Sequence, residues 1–182
     1  MEHIRKKLLL HTCCATCGGF LASKLAADYE VAIFYYNPNI FPAEEYARRR
    51  DEAKKFFTDQ GYQFIEIDPN HIKWREMAVG LEREPERGRR CELCCRERLE
   101  KTALHAKKQG YDLFASTLAI SPHKDATLVN RLGEELADQY GIGFLAGDWK
   151  KQDGFRQAMA VSQEHNFYRQ SYCGCEYSQL EK

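Results

Sequence analysis

Short apolar segments alternate with helical patterns along most of the chain. Strands are predicted over residues 8–12, 31–36, 63–67, 112–119 and 143–145, and helices over 18–28, 42–60, 69–79, 91–109, 126–140 and 159–165. Strands separated by helices pair in parallel through right-handed crossovers. The alternation therefore predicts an α/β fold built on an open, mostly parallel, five-stranded Rossmann-like sheet.

The size and apolar content of the chain suit one globular unit. With 182 residues and 43% hydrophobic content, it can bury a full core, so we expect a single α/β domain over 1–182, with 166–182 as a C-terminal tail. No stretch approaches the roughly 20 apolar residues of a membrane span, and the apolar run near the N-terminus is too short for a signal peptide. We expect a cytoplasmic protein that does not contact a membrane.

The turn after the first predicted strand carries three thiols, Cys13, Cys14 and Cys17. Free backbone N–H groups and the helix dipole favour negative charge at such a strand-to-helix turn, which predicts thiolate character. In open α/β sheets, ligands bind beyond the carboxyl ends of the strands, and the first βα turn usually lies at that position. The turn therefore predicts a site at the carboxyl edge of the sheet.

Five further cysteines form two groups far along the chain, and in a reducing compartment such residues are better explained as ligands or catalytic thiols than as disulfides. The groups are Cys91, Cys94 and Cys95, then Cys173 and Cys175. We predict that all three groups meet at one metal site, to which the C-terminal tail contributes ligands. Cys95 points about 100° away from Cys94 on a helix, which favours ordinary packing for it.

Three kinds of chemistry are compatible with these thiols. Two cysteine pairs could hold a structural zinc ion. Cys14 and Cys17, spaced as Cys-x-x-Cys between a strand and a helix, could form a dithiol redox pair. Four thiolates could hold a 4Fe-4S cluster, leaving three for a second metal once Cys95 is set aside. The iron interpretation accounts for the most cysteines.

The charge pattern gives a local indication of nucleic-acid binding. The net charge is zero, but arginines concentrate at 48–50 and between Arg83 and Arg98. Such clusters can hold phosphates on a neutral protein. Because four glutamates lie within the second region and Glu82 directly precedes it, a solvated loop of mixed charge is the alternative.

Five motifs, in order, resemble those of the cobalamin-independent epoxyqueuosine reductases of the QueH type. They are LLLHTCCATC at 8–17, FYYNPNIFPAEEYAR at 34–48, RCELCCRERL at 90–99, TLAISPHK at 117–124 and YRQSYCGC at 168–175. Together they extend over nearly the full length. Two positions depart from the family pattern: Thr16 stands where proline is usual, and Cys95 where an aromatic residue is common.

The resemblance implies an oxidoreductase of queuosine biosynthesis that reduces the epoxide of epoxyqueuosine, at the tRNA wobble position, to queuosine. It implies a fold similar to the adenine nucleotide alpha hydrolases, although the Ser-Gly-Gly-x-Asp-Ser phosphate loop is missing and ATP use is not expected. It also implies a 4Fe-4S cluster beside a mononuclear iron, without cobalamin. The family's metal ligands map onto Cys13, Cys14, Cys17, Cys91, Cys94, Cys173 and Cys175.

Some relatives carry aspartate at the position of Cys17, so the division of ligands between cluster and lone iron stays open. The lone iron is expected to act as a Lewis acid on the departing oxygen, and the cluster to pass electrons singly. The expected partners are tRNA carrying epoxyqueuosine in its anticodon and an external one-electron donor such as a ferredoxin or flavodoxin.

The residues that would act on the substrate are less defined by the sequence. The proton donor is unassigned, with His11, His123, Asp125 and Tyr172 as candidates. Candidate contacts to the nucleoside or the tRNA are Tyr36, Asn37, Phe41, Arg48, Arg90, Arg96 and Ser121. A thiol-disulfide oxidoreductase and a zinc-stabilised RNA-binding module are the alternative functions.

Overall fold

The structure is a computed structural model, described over residues 4–122 and 124–179. Its central sheet has five parallel strands in the order β3-β2-β1-β4-β5. The strands are β1 (Lys6–His11), β2 (Tyr29–Tyr35), β3 (Gln63–Glu66), β4 (Leu113–Ser116) and β5 (Gly143–Phe144). The predicted α/β class and the parallel five-stranded sheet are confirmed.

Seven helices are described, and most lie where the periodicity predicts them. They are α1 (Ala15–Leu25), α2 (Ala43–Asp59), α3 (His71–Met77), α4 (Arg89–Gln109), α5 (Ala126–Tyr140), α6 (Gly154–Glu164) and α7 (Glu176–Gln179). None of the helices in 4–122 and 124–179 has the length and apolarity needed to cross a membrane.

Several predicted boundaries are wrong. Helix α1 begins three residues earlier than predicted and α6 five earlier, at Gly154. The strand predicted over 112–119 ends at Ser116, whose hydroxyl accepts a hydrogen bond from the Leu118 N–H at 3.2 Å. That cap starts a 3₁₀ turn over Thr117–Ile120. Part of the predicted tail is also helical, as α7.

Both faces of the sheet are covered, as expected for parallel strands. Leu9 packs on the face under α4 and α5, together with Phe114 and Leu99. Leu8 and Leu10 point to the opposite face and pack with Phe57 and Leu21. This alternation explains why the short apolar run of β1 forms the centre of the sheet.

The order of the strands reverses between β1 and β4. The chain passes from β1 outward through β2 and β3, then returns to the other side of β1 as β4 and β5. The carboxyl ends of β1 and β4 are joined by a 2.9 Å hydrogen bond between His11 Nδ1 and Ser116 Oγ. A ligand site is expected just beyond this point, and the cysteine turn begins there.

Candidate metal centre

The N-terminal cysteines are held at the entrance to α1. Cys14 is the N-cap residue in extended conformation, and Cys17 lies in the first helical turn. The sulfurs of Cys13 and Cys14 are 4.0 Å apart. Thr12 fixes the turn, because its hydroxyl donates to the Cys14 carbonyl at 3.0 Å.

The middle and C-terminal cysteines meet in a second cluster. Cys94, in α4, and Cys175 pack with Trp74 and Ala78, and Cys173 lies against this cluster. Cys173 Sγ accepts a hydrogen bond from Lys124 Nζ at 3.3 Å. Parts of the chain that are about 80 residues apart in sequence therefore place their thiols together, as the convergence hypothesis requires.

Helix α2 and the loop before it hold the tail that carries Cys173. The Arg49 guanidinium, 1% exposed, donates to the carbonyls of Cys173 at 3.2 Å and Tyr172 at 3.3 Å. It also pairs with Glu45 at 2.6 Å. The Phe41 N–H donates to the Gly174 carbonyl at 2.8 Å. These contacts fix the backbone on both sides of Cys173.

A cavity of about 280 Å³ joins the first and last cysteine groups. Cys13, Cys17 and Cys173 all line it. Three cations, Arg98, Lys124 and Arg169, also line it, as do the apolar side chains of Phe155 and Met159. The cavity opens at the carboxyl edge, between the α1 entrance, the segment after β4 and the tail.

The three cysteine groups lie at the same edge of the sheet, but their thiols are not arranged as the ligands of a single metal ion among the described residues. Cys173 belongs to both arrangements, since it lines the cavity and packs beside Cys94 and Cys175. Over residues 4–122 and 124–179, no three cysteine, histidine or carboxylate side chains are grouped as ligands of one metal ion. The ligand assignment thus stays a prediction, and the geometry supports a shared rim.

Electrostatics distinguish the thiols. The hydrogen bond that the Cys13 thiol donates to the Cys14 sulfur, together with burial, raises the pKa of Cys13 well above its ordinary value. Although the bond with Cys13 lowers it, the Cys17 thiol and burial raise the pKa of Cys14 to about 11. The predicted thiolate character of the turn is therefore wrong for these two thiols without a bound cation. At Cys173 burial raises the pKa, but Lys124, the Cys175 N–H and Arg98 outweigh it and the net shift is downward.

The donor set fits an iron–sulfur centre. All eight cysteines are free thiols, and soft thiolate ligands suit iron–sulfur clusters and zinc. The Arg98 guanidinium is buried with a positive charge, and its Nε has no hydrogen-bond partner among the described residues. A buried cation needs a compensating anion, which a thiolate-bound centre provides.

Comparison with known proteins identifies the family. The model of the family described as "Epoxyqueuosine reductase QueH" matches residues 8–181. The chain belongs to the QueH family. It is 41% identical over 174 residues to the QueH of Haemophilus influenzae, covering 94% of this chain and 71% of that protein. It is 32% identical over 178 residues to the QueH of Thermotoga maritima, covering 96% and 91%.

Solved structures support the same fold. The U34-tRNA thiolase NcsA of Methanococcus maripaludis, described with its [4Fe-4S] cluster, aligns with a TM-score of 0.60 at 13% identity, covering 96% of this chain and 62% of that chain. A predicted subunit of tRNA methyltransferase from Methanocaldococcus jannaschii aligns with a TM-score of 0.52 at 14% identity, covering 86% and 75%. At these identities the likeness shows the fold alone.

The candidate proton donors of this QueH family member occupy different positions. His11 is fully buried, its Nε2–H donates to the Tyr36 carbonyl at 3.1 Å, and burial and Arg98 lower its pKa to about 3. Asp125 caps α5 by accepting from the Thr127 N–H at 2.8 Å. These hydrogen bonds give both His11 and Asp125 a structural role. Tyr172 does line the cavity, and its hydroxyl donates to the Phe41 carbonyl at 2.5 Å. His123 lies outside the described residues.

Three of the predicted substrate contacts are buried. Tyr36 is 4% exposed, and its hydroxyl donates to the Glu97 carboxylate at 2.9 Å. Asn37 is buried, donating to the Thr12 carbonyl and accepting from Arg98. Arg90, 2% exposed, donates to the carbonyls of residues 81, 82 and 84 and so organises the loop before α4. In this conformation none of the three offers its side chain to a ligand.

The remaining predicted contacts are accessible. Ser121 lines the cavity. Phe41 is partly exposed and stacks on His71 at 5.3 Å between ring centroids. Arg48 is exposed, and its guanidinium lies over the Tyr168 ring at 4.6 Å from the centroid. Arg96 is partly exposed, but it pairs with Glu135 at 2.8 Å.

Sequence reasoning missed several residues that surround the cavity. Arg98, Lys124, Arg169 and Phe155 all line it, and none was a candidate. One signal was present for Arg98, since it lies four residues after Cys94 and so on the same side of α4. Lys124 closes one of the family motifs. Nothing in the local sequence distinguishes Phe155.

Proposed function

We infer that this chain is an epoxyqueuosine reductase acting on the wobble nucleoside of tRNA. The observation that carries the inference is the cavity at the switch point of the sheet. Its walls combine Cys13, Cys17 and Cys173 with fixed cations, in a chain that matches the family over residues 8–181. Such a cavity can accept an extruded nucleoside beside a redox centre.

The reaction sets the requirements on the site. Two C–O bonds of the epoxide break and one C=C bond forms, while two electrons and two protons are consumed and water leaves. Negative charge develops on the departing oxygen before it is protonated. The site must therefore deliver electrons, stabilise an alkoxide and supply protons.

The metal ligands are proposed from the predicted set. Cys13, Cys14, Cys17, Cys91, Cys94, Cys173 and Cys175 would hold a 4Fe-4S cluster and an adjacent mononuclear iron. When bound, these centres supply single electrons and Lewis acidity. The soft, uniformly sulfur donor set favours iron–sulfur chemistry, and it does not fix which thiols serve which centre.

The chain's own groups meet the other requirements. The Lys124 ammonium lines the cavity and is positioned to stabilise a developing alkoxide. Phe155 and Met159 form an apolar wall that limits water. Among the described candidates for proton donor, Tyr172 is the one that lines the cavity, and its hydroxyl would have to leave the Phe41 carbonyl to donate to the substrate.

The partners follow from the substrate. The anticodon loop would approach the open side of the cavity, where Arg169 can hold a phosphate. The stacked pair of Arg48 and Tyr168, of which Tyr168 directly precedes Arg169, can hold further phosphates and bases. We propose an external one-electron donor, such as a ferredoxin or flavodoxin, and a cytoplasmic location.

The function is tested with anaerobically prepared protein, a low-potential reductant and tRNA containing epoxyqueuosine. Brown protein that contains iron and sulfide should convert the epoxide to queuosine, measured by mass spectrometry of digested nucleosides. Wild-type protein loaded with its metals but unable to convert this nucleoside would contradict the assignment. So would colourless protein with stoichiometric zinc and no iron, which is the result expected of a zinc-stabilised module.

The substitution Arg169→Gln removes a positive charge that can contact a phosphate, so it should weaken binding of the anticodon stem-loop. Each phosphate contact contributes about −0.7 to the slope of log K against log salt for a single strand, so the slope should fall by roughly that amount. Fluorescence anisotropy across a salt series measures both the affinity for the stem-loop and the slope of its salt dependence. Arg131→Gln is the matched control, because Arg131 already pairs with Glu92 and Glu135. Equal slopes for wild type and Arg169→Gln would remove Arg169 from the interface.

A further inference from the structure

We propose that Arg98 is a positioning residue of the metal centre, supplying a buried positive charge that offsets the thiolates and raises the reduction potential of the cluster. The inference rests on the proposed iron–sulfur function.

Arg98 is a buried cation that has no acidic partner among the described residues. Its side chain is 2% exposed, and within 4–122 and 124–179 no carboxylate forms a salt bridge with it. The hydrogen bond found for its guanidinium goes to the neutral Asn37 Oδ1, at 2.7 Å. Since a buried, uncompensated charge strongly destabilises a fold, the structure requires an anion nearby.

A metal-bound thiolate is the anion that the surrounding cysteines can supply. Cys13 and Cys173 line the same cavity as Arg98, and Cys94 lies one helical turn before Arg98 on α4. Cys94, Cys13 and Cys173 represent the middle, first and last cysteine groups. One fixed charge therefore acts on all three groups that are proposed to hold metal.

The guanidinium is held in place by a relay to the cysteine turn. Asn37, which binds Arg98 through its oxygen, donates through Nδ2 to the Thr12 carbonyl at 3.0 Å. Thr12 directly precedes Cys13. These two hydrogen bonds fix the Arg98 guanidinium relative to the backbone of the turn that carries Cys13. Arg98 still lines the cavity. A charge fixed in this way needs no reorganisation when the cluster is reduced.

The effect on redox chemistry follows from the sign of the charge. Reduction adds an electron to a centre whose thiolates already make it negative, and a neighbouring cation favours that reduced form. Net charge and solvent exposure are among the factors that set cluster potentials. Removing the guanidinium charge should make the cluster harder to reduce.

The test compares Arg98→Met, which removes the charge, with Arg98→Lys, which keeps it. Iron and sulfide content and the EPR signal of the reduced cluster are followed in an anaerobic potentiometric titration. At the wild-type midpoint, Arg98→Met should lower the ratio of reduced to oxidised cluster by about tenfold, or roughly 59 mV for one electron. Arg98→Lys should stay within about threefold. Lys108→Met, on an exposed cation of the same helix, should leave the midpoint potential unchanged.

Each result decides the proposal. If Arg98→Met binds the cluster at an unchanged potential, Arg98 is merely structural and the inference is overturned. If Arg98→Met takes up no cluster, Arg98→Lys decides: a cluster near the wild-type potential supports the charge role, and an empty Arg98→Lys variant contradicts it. If wild-type protein itself holds no iron or sulfide, the proposed function fails as well. If the wild-type protein reduces the epoxide but the Arg98 variants keep the wild-type midpoint potential, this inference is overturned and the proposed function stands.

Discussion

Replacing Cys94 with alanine should remove most of the iron and sulfide that the protein binds, together with its visible absorption. Cys94 is buried beside Cys173 and Cys175, where the middle and last cysteine groups meet. A missing thiolate at this position cannot be replaced by water from the surface without opening the apolar cluster around Trp74. Metal and sulfide analysis of anaerobically reconstituted protein measures the loss, and epoxide reduction should disappear with it.

Cys95→Ala is the matched control, because the chain offers an adjacent cysteine of nearly equal burial. Cys95 is 3% exposed and packs in the core with Leu99 and Phe114, on the side of α4 that faces the sheet. Its loss should cost about 1 kcal/mol of unfolding free energy and leave the iron content unchanged. Equal iron loss in both variants would show that packing of α4, and not ligation by Cys94, holds the centre.

The architecture could be predicted because it depends on local patterns. Leu8, Leu9 and Leu10 form an apolar run too short for a helix, and the sheet buries them on both faces. The position of the first cysteine group could also be predicted, because it lies in the turn after β1 and parallel strands place their following turns at one edge of the sheet. These features depend on periodicity and topology, which the sequence carries directly.

The roles of individual arginines could not be predicted, because burial depends on tertiary packing. Arg48, Arg49 and Arg50 are consecutive in sequence, yet Arg48 is exposed, Arg49 is buried against the tail and Arg50 is partly exposed. Arg90 was expected to bind phosphate, but it holds backbone carbonyls. A run of charges thus indicates a basic composition without indicating which charge faces a ligand.

The same limit applies to the tail. The spacing of Cys173 and Cys175 predicts that they are metal ligands, but the Arg49 side chain that holds their backbone lies more than 120 positions earlier in the chain. The Tyr168 N–H donates to Glu52 at 2.7 Å, and the Tyr168 hydroxyl donates to Glu45 at 3.1 Å. Helix α2 is therefore the surface against which the last cysteine group is positioned.

Arg49→Met should detach this tail and destabilise the protein by about 3–5 kcal/mol, the usual cost of removing one partner of a buried ion pair. The substitution removes two hydrogen bonds to the tail and leaves the Glu45 carboxylate, 10% exposed, without its cation. Urea unfolding measures the free energy. Limited proteolysis of the metal-free protein should show new cleavage within 166–179, and iron content should fall because Cys173 and Cys175 lose their position.

Arg50→Met provides the control at the next residue, since Arg50 is 30% exposed and pairs with Asp51 and Glu66. Its loss should cost about 1 kcal/mol or less and leave the tail protected. Combining Glu45→Gln with Arg49→Met removes both charges, so the double variant should be more stable than Arg49→Met alone, with a coupling of about 0.5–3 kcal/mol. If Arg49→Met keeps its iron and its resistance to protease, the tail is positioned by the Phe41 and Tyr168 contacts instead, because those are the described backbone contacts that the substitution leaves intact.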